Sequence, residues 1–453
     1  MNTAPKGRIE VLENATLSPS KGAHGCVLGV DVAFNRGAIE RFVNACIEDV
    51  DIDLLVVLAS VAFADRRVKR RSGLPWGRSF VVRVPVHDPS VWMQAGPALE
   101  ATLAHLSGDT WRFDFHQRNH RENLQLFLGR RVPPLGTAAV IPSSGGLDSH
   151  TVVRRRLAEH PDEPVVLVCG NGRVPQGHSR SANVQGLEVP FRIHPGRRAE
   201  PSYRTRTFTF FCLAGLACRH LTGAHVLIGE SGIGCLGPSL VPFGIEHPVR
   251  GCHPSYIVKL RTFLKRLWGD CPRFEQPHLW MTKGEVLREL QERGQLDGWE
   301  RTRSCSRNVK RQHPSNDAPH CGVCSGCVYR RQSLYHAGLQ AKEGPGMYFS
   351  DVFAEAALPS DASDADREVA TYAALGLASL AKEAERWPKE GPYVAELAQA
   401  LGLPSSEVAA SMRRLLVAHA NEWERFLDVL PQGSWVRANA AAAQAGAMRW
   451  TRK

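Results

Sequence analysis

A chain of 453 residues exceeds what one hydrophobic core supports, since such cores stop growing at about 250–300 residues, so two or three domains are expected. A hydrophobic share of 43% and a charged share of 22% exclude a disordered or fibrous chain. The formal net charge of +11 favours anionic partners such as nucleotides, nucleic acids or an acidic protein.

The amino terminus lacks the apolar stretch after a basic start that marks a secretory signal. The longest apolar run, Leu54 to Ala64, falls short of the roughly 20 residues that cross a bilayer. A cytoplasmic protein without a membrane span is expected. From about residue 25 to 135 a helical stretch mixes with runs of period two, Phe80 to Val84 and Trp111 to Phe115, which read as half-buried strands. The expectation for residues 1–135 is a small α+β domain without a catalytic motif, its basic run Asp65 to Arg71 forming a solvated loop.

From residue 136 the texture changes. Ala138 to Ile141, Val165 to Cys169 and His225 to Gly229 are short apolar runs bounded by Gly, Pro or polar residues, the pattern of buried parallel strands. A helix-compatible segment, Ser149 to His160, separates the first two at βαβ spacing, and another, Tyr203 to Leu221, precedes the third. The fold expected for residues 136–340 is α/β, a doubly wound parallel sheet. Residues 341–453 read as a helical C-terminal region, with a capping box at Ser363 and Asp366 followed by Val369, Tyr372 and Leu380. Farther on, Val394 to Val408 with Gly402 at its turn predicts a helix hairpin rather than a DNA-reading pair, because the second helix starts with little positive charge.

At Ser143 to Ser149 (SSGGLDS) an apolar strand runs into two serines and two glycines, then an acid and a serine at a helix start. Gly145 and Gly146 let the backbone turn sharply and approach an anion. Their amides and those opening the helix, including Leu147, suit phosphate oxygens, with hydroxyl donors from Ser144 and Ser149. Asp148 would repel phosphate directly, so its role is to orient the loop or to reach a Mg²⁺ ion. The stretch Gly232 to Gly237 matches a dinucleotide fingerprint literally, but Pro238 and Pro242 oppose the regular helix which that motif requires. Gly229 to Ile233 lacks the closing glycine of a nucleophile elbow. Arg204, Arg206, Glu230 and His253 are weaker candidates for contact with substrate, and surface charge explains them equally.

Four of the 12 cysteines crowd together: Cys321, Cys324 and Cys327 at spacings of three, with Cys305 upstream. That distribution argues for metal binding rather than disulfides. Four thiolates close a tetrahedron around zinc, and an iron–sulfur cluster or redox role stays open beside it.

The hexapeptide Ser144–Ser149 resembles the SGGxDS signature of the PP-loop ATP pyrophosphatases, which split ATP into AMP and pyrophosphate and activate a carbonyl or carboxylate as an adenylate. Combined with Cys305 and the CxxCxxC run of Cys321, Cys324 and Cys327, it resembles the 7-cyano-7-deazaguanine synthases, the QueC group, over roughly residues 136–340. Arg330 is similar to the arginine that follows the family's cluster, and Trp280 to Val286 to its KTKxE segment, although Thr282 and Glu285 also have capping-box spacing. The interval between the first two cysteines is longer than in that group, and its aromatic-Gly-Gln-Arg-His stretch is absent. The extensions before 136 and after 340 resemble those of QueC-like proteins of bacterial antiphage defence systems, including the Qat group.

The resemblance implies a PP-loop fold using ATP and Mg²⁺ with a structural Zn²⁺. Residues Ser143 to Ser149 would bind ATP, Asp148 and Ser149 being catalytic. The implied reaction is adenylation of a 7-deazaguanine carboxylate, then attack of a nitrogen nucleophile to give an amide, a nitrile or a conjugate with a partner protein of a defence operon. Nucleic acid is a further anionic candidate, and self-association is compatible with each. Two other expectations compete: RNA base thiolation, which needs a labile catalytic cysteine, and a nonenzymatic adaptor whose nucleotide and zinc sites only support a complex.

Overall fold

Apolar runs too short to cross a bilayer serve instead as the inside of a layered core, and the computed structural model places them there. The structure describes residues 6–35, 37–39, 48–70, 76–119, 139–170, 173–175, 178, 182–200, 202–221, 223–240, 250–305, 318–344, 346–358 and 391–444. Strands β1 (Lys6–Leu12), β2 (His24–Val27), β3 (Val32–Phe34), β4 (Ser79–Val86) and β5 (Thr110–Gln117) and helices α1 (Asp49–Arg67) and α2 (Pro89–Ser107) come first. The sheet β2-β1-β4-β5 is parallel throughout. Parallel neighbours need crossover connections: α1 leads into β4 and α2 joins β4 to β5, while the helix-free segment 13–23 joins β1 to β2. This N-terminal part is therefore α/β in construction rather than the expected α+β. The period-two pattern is kept: Phe80, Val82 and Val84 point inward while Val81 and Arg83 face out.

Helix α1 contains the run Leu54 to Ala64, buried on all sides. A helix apolar all round belongs inside a core, and α1 is covered by β4 on one side and by α4 (Arg206–Arg219) and β9 (Phe191–Ile193) on another. The second sheet, β11 (Phe274–Glu275), β10 (His225–Leu227), β6 (Ala139–Ser143), β7 (Val165–Cys169) and β8 (Val184–Glu188) in spatial order, is also parallel. Helix α3 (Leu147–Glu159) joins β6 to β7, and α4 leads into β10. All three predicted strands thus lie side by side in the predicted orientation. After β6 the chain steps outward to β7 and β8, then returns to β10 on the other flank of β6, so a topological switch point opens at the carboxyl ends of β6 and β10. Crevices of that kind are where open parallel sheets bind ligands. Antiparallel pairing of β3 with β9 ties the two sheets together, and one buried cluster runs through both.

The basic run after residue 65 is not a solvated loop where the structure describes it. Asp65 is fully buried, accepting from Arg78 Nη2 at 2.5 Å and from the Thr205 amide and hydroxyl at 2.9 and 3.0 Å. Asp109 binds Arg78 Nη2 at 2.8 Å and Arg70 Nη2 at 2.6 Å. Thr205 caps α4, so Asp65 fixes the point at which α4 begins.

The remaining helices are α5 (Gly232–Leu240), α6 (Pro254–Trp268), α7 (Lys283–Glu292), α8 (Ser325–His336), α9 (Pro392–Leu401), α10 (Ser405–Val429) and α11 (Trp435–Gln444). The dinucleotide-like glycine stretch is itself helical as α5, with Pro238 inside it, so it fails as a fingerprint because the helix starts at its first glycine rather than after it. Helices α9 and α10 form the expected hairpin, Gly402 turning between them at φ 67°. Val394, Leu397, Met412, Leu415 and Trp423 pack from it onto the cysteine cluster and α5. The predicted capping box at Ser363 and Asp366, with Val369, Tyr372 and Leu380, lies outside the described residues. Among the described residues no helix is long and apolar enough to cross a membrane.

Removing one partner from a buried charge network leaves the others uncompensated. Asp65→Ala should destabilise the protein by about 3–5 kcal/mol in denaturant unfolding, whereas an exposed control such as Glu424→Ala should change it by less than about 0.5 kcal/mol.

Candidate functional site

The Ser143–Ser149 segment begins on the last residue of β6 and ends in the first turn of α3. Gly145 sits at φ 74°, which a residue with a side chain reaches only under strain, and this reversal turns the chain from strand into helix. Gly146 caps α3 without any side-chain cap, so the first-turn amides have neither an intrahelical acceptor nor a capping side chain, and Gly146, Asp148 and Ser149 of this turn line the crevice. The loop closes on itself: the Gly145 amide donates to Ser143 Oγ at 3.3 Å, Ser143 Oγ donates to Ser149 Oγ at 3.3 Å, and Ser149 Oγ donates to the Gly146 carbonyl at 3.0 Å. Ser149 is thus spent on holding the loop, while Ser144 is exposed.

Asp148, in the first turn, ion-pairs with Lys283 Nζ at 2.8 Å. Burial opposes the Lys283 ammonium, but Asp148 and then Glu230 outweigh it and hold its pKa above the ordinary lysine value. Glu230 lies beside Asp148. Burial first, then the Asp148 charge, pushes its carboxyl up to about 7. Close packing enforces this convergence, because a Cβ on Gly229 would stand 2.5 Å from the Asp148 carbonyl oxygen.

A cleft of about 230 Å³ is lined by Ser144, Gly146, Asp148, Ser149, Arg206 and Glu230, with Thr207, Phe210, Phe211 and Cys252 among its walls. This is below the usual range for cavities enclosing a drug-sized ligand, so a nucleotide-sized molecule would extend beyond it. Six of the candidates for phosphate or substrate contact, Ser144, Gly146, Asp148, Ser149, Arg206 and Glu230, meet here. Arg204 and His253 do not line it. Arg204 stacks on Trp76 at 4.2 Å, and His253 caps α6, its Nδ1 accepting from the Ser255 amide. Lys283 is the main residue that sequence reasoning passed over. The segment Trp280 to Val286 carried the signal, but Thr282 and Glu285 took the attention as a helix start, and they do form a reciprocal capping box.

The C-terminal hairpin supports that helix start. Buried Glu422 of α10 accepts from Thr282 Oγ1 and from Gln332 Nε2 at 3.0 Å, and Arg414 binds Glu285 at 2.7 Å. Burial pushes the Glu422 carboxyl up to about 7.

Cys305, Cys321, Cys324 and Cys327 come together with all four Sγ atoms within 4.8 Å of one another. The separations of 3.4 Å for Cys324–Cys327 and 3.9 Å for Cys321–Cys327 and Cys305–Cys324 bracket the edge of about 3.8 Å that a tetrahedron of 2.3 Å metal–sulfur bonds requires. The Cys321 and Cys324 amides point at Cys305 Sγ and Cys321 Sγ, each at 3.4 Å. The cluster therefore fits a metal ion such as zinc. It also touches the loop: the Arg303 amide donates to the Gly145 carbonyl at 2.9 Å, and Arg330, fully buried on α8, binds Thr302 Oγ1 at 2.7 Å.

No protein-family model matches this chain, and no curated protein matches it.

Cys324→Ser should weaken the sulfur-to-metal charge-transfer band of the Co²⁺-substituted protein, since only three of the four thiolates remain. It should also speed amide exchange at Arg303 by roughly tenfold, the net worth of one hydrogen bond. The raised Glu422 carboxyl gives stability that is full below pH 4.5, falls as pH rises toward 7 and is flat above. Relative to the native protein, Glu422→Gln should therefore gain stability by on the order of 3 kcal/mol between about pH 4 and pH 8. Urea unfolding at both pH values checks this.

Proposed function

We propose that the cleft binds ATP with Mg²⁺ and transfers its AMP to a carboxylate, which a nitrogen nucleophile then converts to an amide. The observation that carries this reading is the uncapped amino terminus of α3 at the switch point, with the Asp148–Lys283 pair in its first turn. Amides there suit the phosphate chain. Asp148 and Glu230 would supply the oxygen ligands that Mg²⁺ prefers, and the ion would neutralise phosphate charge. A carboxylate oxygen of the substrate attacks the α-phosphorus and pyrophosphate leaves. The nitrogen then attacks the acyl carbon and AMP leaves. Lys283 and Arg206 offset the negative charge that develops on the phosphoryl oxygens. The metal at the four cysteines, zinc in this reading, is structural, since four thiolates leave no open position.

The resemblance of Ser144–Ser149 and the cysteine run to QueC-like PP-loop enzymes supports a 7-deazaguanine carboxylate as the substrate. The N- and C-terminal extensions support the defence-system form, in which a partner protein supplies the nitrogen. Acyl activation fits the cleft better than RNA thiolation. Cys252 lines it, but burial first, then the Glu230 and Asp148 charges, raise its thiol pKa well above the ordinary value, the opposite of what a nucleophilic thiol needs.

Pyrophosphate release from ATP, Mg²⁺ and 7-carboxy-7-deazaguanine tests the proposal, with ammonia or a candidate partner protein as acceptor. Release should depend on the carboxylate and fall by about 10²-fold or more in Asp148→Ala and Lys283→Met, with circular dichroism unchanged. The product mass distinguishes amide, nitrile and conjugate. A folded native protein that releases no pyrophosphate with any acceptor would overturn the reading in favour of an adaptor.

A further inference from the structure

Away from the cleft, three helices from three parts of the chain meet at a second group of metal-ligating side chains. His105 lies in the last turn of α2, His253 caps α6, and Glu396 belongs to α9. Each brings one ligand atom within 4.8 Å of the others. The imidazoles share a bridge: His253 Nδ1 stands 2.6 Å from Ser255 Oγ, which stands 3.1 Å from His105 Nε2. On its other edge His253 Nε2 meets Tyr393 Oη at 2.9 Å. His253 is buried while Glu396 is exposed.

We propose that His105, His253 and Glu396 form a second metal site, for a borderline dication such as Zn²⁺, that clasps α2, α6 and α9 together. Two imidazoles and one carboxylate are a ligand set such ions take, and three protein ligands leave a fourth position for water or Tyr393. The Arg250 charge acts on the His253 ring, and the Glu396 carboxylate opposes it. Binding through Nε2 requires the tautomer with its proton on Nδ1, so His253 gives up the cap bond from the Ser255 amide and donates instead to Ser255 Oγ, the kind of outer hydrogen bond that orients a ligand. A tetrahedron with bonds of about 2.1 Å has edges of about 3.4 Å. The ligand atoms, within 4.8 Å of one another, therefore close by on the order of an ångström on binding, by rotation of the exposed Glu396 side chain and small shifts of the two rings. Glu396 also offsets the repulsion between a dication and Arg250. The site differs from the cysteine cluster in ligand chemistry and is independent of the nucleotide reading.

Metal stoichiometry tests it on the full chain. The native protein, its cysteine site filled, should bind a second equivalent of Zn²⁺ or Co²⁺. In the Co²⁺ form that equivalent should add ligand-field absorption without a sulfur charge-transfer band. His105→Ala and Glu396→Gln should each lose the second equivalent while keeping the charge-transfer band of the first. Tyr393→Phe removes the hydrogen bond but none of the three ligands and should keep both. A native protein that binds one equivalent, or a second equivalent that survives in both His105→Ala and Glu396→Gln, would overturn the proposal.

Discussion

The ion pair between Asp148 and Lys283 is the constraint around which the site is arranged. One partner rides on the strand-to-helix turn at the end of β6, the other on a helix start capped by Thr282 and Glu285 and supported by Glu422 and Arg414 of the C-terminal hairpin. A charge pair at 2.8 Å in a largely desolvated place is sensitive to small displacements, because its attraction is opposed by the cost of removing both ions from water. Each flank is accordingly held by bonds of its own. The C-terminal hairpin is thus part of the site's foundation, although it contributes no side chain to the cleft lining.

The same logic joins the site to the two regions most remote from it in sequence. Asp65, in the N-terminal helix α1, pins Thr205 and so sets where α4 begins, which places Arg206 on the cleft. The segment Thr302–Cys305, which leads into the cysteine cluster, crosses the glycine loop, where the Arg303 amide holds the Gly145 carbonyl. A metal bound by the four thiolates would stiffen that segment without touching the cleft. Burial converts these long-range contacts into geometry: in a close-packed interior a displaced neighbour has no free volume to occupy.

Legibility followed locality. The Ser143–Ser149 turn could be read because strand, glycines and helix start are consecutive, and their conformational demands are local. The four cysteines could be read because their spacing alone brings thiolates within reach of one ion. Lys283 was hidden although its segment stood out, since nothing in a sequence says which distant carboxylate a lysine meets. Arg204 and Arg206 show the opposite failure. They are two residues apart and look alike, yet one stacks on Trp76 and the other lines the cleft, because a helix beginning between them sends the two side chains in different directions.

Local pattern by itself determined the strands at Phe80, Trp111, Ala138, Val165 and His225 and the hairpin around Gly402, and residue type with spacing determined that a glycine turn and a thiolate cluster share the chain. Tertiary structure decided the direction of the N-terminal strands, since period two reports burial but not whether neighbours run parallel. It also decided the burial of Asp65 and Arg70, charged residues that enter a core only when partners from other segments meet them there. It likewise brought Asp148, Glu230, Lys283 and Arg206 to one crevice. Local preferences act over a few residues, whereas the position of a switch point depends on the order in which strands are added to the sheet.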